Sequence, residues 1–172
     1  MAVTADELIA LGQGRFASDD TALAEDIITR VWGAIRDYCE WHITPVQRET
    51  LIVDGTGGPL LQLPTLHLVQ VHSVREDGET LDLAEVEWST DGSVRKRSGR
   101  WTERWRGIEI DIEHGYANVP GIDDVVLSIA ARRMTAPAGQ IRLRVGQTDE
   151  QLGDALGSDL AVLDRYALGT TG

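Results

Sequence analysis

Three carboxylates at alternate positions, Glu109, Asp111 and Glu113, are the residues whose spacing most invites chemistry. A strand with a side-chain period of two aims all three the same way, so they could chelate a divalent metal or act as a general acid and base. The same period sends Ile108, Ile110 and Ile112 to the opposite side, so the row equally describes the solvated face of a half-buried strand. Arg95 and Arg97, on a strand expected nearby, offer cross-strand charge partners that would make the row structural.

A second concentration runs from Arg95 to Arg106 and holds six of the sixteen basic residues and two of the five tryptophans, Trp101 and Trp105. Arg97, Arg104 and the two indoles could stack on bases and hold phosphates, or form a protein interface, where Trp and Arg are enriched. A solvated hairpin is the third reading. The net charge of −12, from 28 acidic and 16 basic residues, weighs against nucleic acid, whose grip needs clustered positive charge.

The remaining candidates are weaker. His42, His67, His72 and His114 lack ligand spacing, and His67 and His72, five apart on a strand, would face opposite ways. The glycine-rich turn at 55–58 lacks the Lys and Ser/Thr of a phosphate loop, and no nucleophile elbow is present. Cys39 falls on the apolar face of a helix and reads as a small buried hydrophobe. No enzyme activity, cofactor or metal is expected.

The elements that must position these residues follow from periodicity. Thr4-Ala5-Asp6-Glu7 has capping-box spacing and opens a helix over about 4–11, with Gly12 as a left-handed stop. From 18 to 41 runs one long amphipathic helix: Leu23, Ile27, Ile28, Val31, Trp32, Ile35, Tyr38 and Cys39 share one half, and Pro45 forbids continuation. Alternation replaces the helical period over 46–113, with turn signals at Asp54-Gly55, Asp77-Gly78, Asp91-Gly92 and Ser98-Gly99 that predict successive hairpins. A helix over about 120–136 follows, then a flexible segment over 140–157 and a last helix over about 158–168.

The expected fold is therefore α+β, a small bundle of about four helices with an inserted antiparallel β-hairpin sheet, in one domain of 172 residues. Folding would bury roughly 70% of the unfolded surface of such a chain. No run of about 18 apolar residues and no secretory leader are seen, so an intracellular product without membrane contact is expected. The last helix, with Leu160, Val162, Leu163, Tyr166 and Ala167 on one face, is too short to be stable alone and needs a partner surface.

Taken together, Tyr38-Cys39-Glu40-Trp41-His42-Ile43-Thr44-Pro45, the Asp54-Gly55 turn, Leu61-Gln62-Leu63-Pro64, Trp88, His114-Gly115-Tyr116, Val119-Pro120 and Leu163-Asp164-Arg165-Tyr166 carry a resemblance. From about residue 25 to Tyr166 the chain resembles the head-to-tail adaptor (connector) proteins of long-tailed bacteriophages, especially those infecting actinobacteria. The resemblance implies a structural virion protein, made in the host cytoplasm, that joins a ring of usually twelve copies beneath the portal and extends the DNA channel toward the tail. Its implied partners are the portal, a downstream neck, stopper or tail protein, and other copies of itself; DNA passes without sequence-specific binding. It also suggests that the last helix, through Leu160, Leu163 and Tyr166, docks into the portal. A nucleic-acid-binding module using Arg95–Arg106 and a small acidic enzyme using Glu109, Asp111 and Glu113 remain the alternatives.

Overall fold

The computed structural model describes residues 3–135 and 159–169, so the segment 140–157 expected to be flexible lies outside the described residues. The fold class is α+β, as the periodicities predict. Two compact units make it up: a helical one from Met1–Glu40 and Asn118–Ala167, and a β one centred on Trp41–Ala117.

In the helical unit, α1 (Ala5–Leu11) opens on the capping box read from the sequence. The Glu7 amide donates to Thr4 Oγ1 at 3.2 Å and the Thr4 amide to Glu7 Oε2 at 2.9 Å, which satisfies two otherwise orphaned donors. Gly12 is not the left-handed residue: its φ is −66°, and the left-handed turn falls on Gln13 and Gly14. The glycine is needed instead because the Phe16 ring lies 2.3 Å from where a Cβ would stand.

A 3-10 turn, Ser18–Asp20, leads into α2 (Thr21–Cys39), with Asp20 Oδ2 accepting from the Ala17 amide at 2.9 Å. The helix ends well before Pro45. Glu40 turns left-handed at φ 64° and its amide returns to the Arg36 carbonyl at 2.7 Å, a closure that needs no proline. Ile27, Ile28, Val31, Trp32, Ile35 and Cys39 are buried, whereas Leu23 and Tyr38, at the margins of the apolar half, stay exposed. α2 packs against both α1 and α3 (Pro120–Thr135), which contributes Ile122, Val125, Val126, Ala130 and Met134. Residues 159–163 form a fourth helical stretch that ends in turns.

The β unit contains two antiparallel sheets. The larger has the order β1 (Gln47–Val53), β7 (Ile108–His114), β3 (Leu68–Glu76), β4 (Glu79–Thr80); the smaller runs β2 (Leu60–Gln62), β6 (Ser93–Lys96), β5 (Val86–Trp88). β7 lies between β1 and β3, with Ile110 opposite Leu51 on one side and Val74 on the other. Two register shifts in β3, between Leu68 and Gln70 and between Val71 and Ser73, break strict alternation, so Leu68, Val71 and Val74 all reach the core at intervals of three. There they meet Ile108, Ile110 and Ile112 of β7, Leu61, Val86 and Val94 of the smaller sheet, and Trp101.

Candidate interaction surface

The carboxylate row of β7 does not assemble a reaction centre, because each member has a basic neighbour on an adjoining strand. Arg48 Nε lies 3.0 Å from Asp111 Oδ1 and its Nη2 is 2.5 Å from Oδ2, a forked pair that holds the Asp111 carboxyl below the usual carboxylate range. Arg75 reaches Glu109 at 3.4 Å and His72 Nε2 is 3.5 Å from Glu113. Register accounts directly for one pair only, Glu109 opposite Arg75, whereas Arg48 sits opposite Glu113 and reaches diagonally, two residues along β7, to Asp111. Arg95 and Arg97 are not among them. β6 belongs to the other sheet, and both of these arginines turn to Glu87 of β5, at 2.6 and 3.3 Å. The arginine bond to Glu87 lowers the pKa of that carboxyl.

The Arg95–Arg106 stretch is not a hairpin. Past Lys96 it is an irregular run that carries the chain from β6 in the smaller sheet to β7 in the larger one. Trp101 is 2% exposed and belongs to the core, with Lys96 Nζ 4.9 Å from its ring centroid. Lys96 also pairs with Glu76 and donates to the Arg100 carbonyl at 2.8 Å, while Glu76 Oε1 accepts from the Thr102 amide at 2.7 Å. One carboxylate at the end of β3 thereby fixes both ends of the 96–102 run.

The following turn is fixed by residues 54–58. Amides of Gly55 and Gly57 donate to the carbonyls of Arg104 and Thr102 at 2.9 and 3.0 Å, the Trp101 amide donates to the Gly58 carbonyl at 2.9 Å, and Asp54 Oδ1 accepts from the Arg106 amide at 2.7 Å. A Cβ on Gly55 would stand 2.0 Å from the Thr102 carbonyl oxygen, so this approach is closed to any other residue. The outcome is a rigid turn with Trp105 at its tip, 83% exposed, flanked by Arg104 and Arg106. The Arg104 side chain is itself 72% exposed and approaches Asp77 only to 3.8 Å. Beside the turn lies a shallow groove lined by Ile52, Arg75, Asp77, Arg104, Arg106 and Glu109.

Of the residues singled out in the sequence, Arg104 and Trp105 share this turn, while Arg97 is drawn aside to Glu87. Leu163 is buried in the helical unit: its carbonyl accepts from Cys39 Sγ at 3.8 Å, its neighbour Asp164 bonds Tyr38, and Arg132 holds Asp159 at 3.0 Å. Leu163 thus packs part of the last helix's apolar face within its own chain. Tyr166 is half-buried, and Leu160 is the large side chain of this stretch left exposed.

Two features escape sequence reasoning. His114 is buried, with Nε2 3.0 Å from Glu49 Oε1 and the rings of Trp41 and His42 about it. Burial pushes its pKa down, and the neighbouring Glu49 opposes that. In the helical unit, the first turns of α1 and α3 border a cleft lined by Val3, Glu7, Pro120, Asp123, Asp124 and Leu127. Asp123 Oδ1 is buried there without a hydrogen-bond donor, and burial together with Glu7 and Asp124 raises its pKa. The only sequence signal was the acidic first turn of each helix.

No family model matches this chain, and no curated protein matches it. Solved structures do. A chain in the neck of an empty gene transfer agent (GTA) particle computed with C6 symmetry superposes with a TM-score of 0.63 at 17% identity, covering 100% of this chain and 97% of that one. One in the neck of the native particle computed with C12 symmetry gives 0.64 at 15% identity over 100% and 97%. A third, in the virion of the native particle, gives 0.65 at 16% over 96% and 89%. The chain therefore shares the fold of these neck and virion chains along essentially its whole length.

Proposed function

We propose that this chain is a structural neck protein of a phage-like particle, joining the DNA-filled head to the tail as one subunit of a ring beneath the portal. The observation that carries the reading is the likeness to neck chains over 100% of this chain and 97% of each of theirs. The sequence resemblance to actinobacteriophage head-to-tail adaptors points the same way. Twelve copies would suit it, with the portal on one side and a stopper or tail protein on the other, and its place would be the virion after synthesis in the host cytoplasm. The net charge of −12 suits a conduit wall past which DNA slides without sticking. The ion pairs on the β7 carboxylates favour a mechanical over a catalytic role, since a general acid or base needs a carboxyl freed from such partners.

The test is to purify particles from a producing culture and locate the chain by immunogold labelling. Label at the vertex bearing the tail is expected, and a knockout should accumulate heads that lack tails. Absence of the chain from purified particles, with normal particles formed by the knockout, would overturn the proposal.

A further inference from the structure

We propose that Trp105, with Arg104 and Arg106, docks into the acidic cleft between the first turns of α1 and α3 on a second copy of this chain. The inference rests on the neck reading only for the closure of such contacts into a ring.

The turn has the properties of a preformed anchor. Trp105 is 83% exposed, yet the backbone around it is held at Gly55, Gly57, Gly58 and Asp54, so binding would order little that is not already ordered. Tryptophan and arginine are the residues most enriched at the energetic centres of interfaces. Among the described residues Arg106 makes no ion pair, and Arg104 makes a long one only, so the turn has spare positive charge.

Charge selects the partner. In the helical unit the described residues include twelve carboxylates against six arginines, so a second copy offers the acidic surface that the turn fits. Within that unit the cleft combines apolar Val3, Pro120 and Leu127, suited to an indole, with Glu7, Asp123 and Asp124, suited to two guanidinium groups. None of these three carboxylates forms an ion pair among the described residues, and Asp123 Oδ1 still lacks a donor. Each copy carries both an anchor and a cleft, so it can use its anchor on one neighbour and offer its cleft to another. Where the exchange is not reciprocal within one pair, such contacts close into a ring or run on as a filament.

The full chain is examined by sedimentation velocity across a concentration series, with unfolding curves to confirm that each variant folds. Concentration-dependent association of the wild type is expected, weakened roughly thirtyfold or more by R104E/R106E or by E7R/D124R, and restored when the two reversed chains are mixed. Chains carrying R104C and D124C, which keep the Trp105 anchor, should give a disulfide-linked ladder on mild oxidation, since the native Cys39 is buried. A wild type that stays monomeric, reversals without effect, or no rescue on mixing would each overturn the contact. So would loss of duplex DNA binding as the only effect of R104E/R106E. If the chain is found at the tail vertex while the reversals leave association intact, the contact fails and the neck reading stands. Self-association through this contact by a chain absent from particles has the opposite meaning.

Discussion

Glu76 fixes both ends of the 96–102 run that leads into the Trp105 turn, and its removal gives the sharpest test of how that run is held. Its side chain is 13% exposed and its Lys96 partner 15%, so both charges are largely withdrawn from water. One carboxylate oxygen meets Lys96 and the other the Thr102 amide at 2.7 Å. Glu76→Ala strands a buried ammonium and a backbone donor together, and should cost about 3–5 kcal/mol, the range for breaking a buried pair. Glu76→Gln keeps an acceptor for Thr102 but removes the counter-charge, and should cost about 1.5–3 kcal/mol. Adding Lys96→Met to Glu76→Gln removes the stranded charge, so the double variant should recover part of the loss. A coupling energy of about 2 kcal/mol is expected from the cycle. Urea unfolding followed by far-ultraviolet circular dichroism gives the four stabilities, and hydrogen exchange at the Thr102 amide gives the local effect. A coupling below about 0.5 kcal/mol, or Thr102 exchange unchanged in Glu76→Ala, would show that the 96–107 run is held by other contacts.

Ile35, 2% exposed on the buried side of α2, should cost about 2–5 kcal/mol when truncated to Ala, visible as a lower denaturant midpoint with unchanged slope; an unmoved midpoint would show that this side is not core. His114 makes stability fall on acidification: burial lowers its folded-state pKa below the unfolded value of about 6.5, so above pH ~7 both states are neutral and nothing is lost. Below about 6.5 the unfolded chain takes up a proton that the folded chain refuses, and stability declines until the folded-state pKa is reached. Unfolding curves between pH 7.5 and 5 should show this slope, and His114→Gln should flatten it; an unaltered slope in the variant would assign the effect elsewhere.

What the sequence reveals and what it hides divide along locality. The Thr4/Glu7 capping box needs four residues, and the β7 alternation needs seven. Both are legible because the hydrogen bonds or packing they predict lie within the element itself. Gly12 was legible as special but not for the right reason, since Phe16, four residues on, occupies its space through a turn that no propensity specifies. Arg95 and Arg97 were matched to the wrong carboxylates because the assignment of β6 to a separate sheet is decided by pairings with β2 and β5, not by β6. Trp101 and Trp105 have the same residue type in the same basic run, and one is core while the other is the most exposed large apolar side chain described. No period governs an irregular crossing between sheets, so nothing in the spelling separates them. His114 and Glu49 meet because β1 and β7, far apart in the chain, are neighbours in the sheet.

The β unit also joins its own two ends. Gln47 lies opposite His114, and just outside them the Tyr116 amide donates to the Ile43 carbonyl at 2.7 Å. Seen from α2 and α3, a connection of about 77 residues, from Trp41 to Ala117, therefore behaves as a link of only a few residues whenever the β unit is folded. Were the β unit to melt first, the two helices would have to meet at the ends of a long slack loop. With each doubling of loop length costing about 0.6 kcal/mol, roughly four doublings put that penalty at about 2.4 kcal/mol. The melting of one unit is thus felt by the other through chain connectivity alone, and the two should denature closer together than their separate stabilities would dictate.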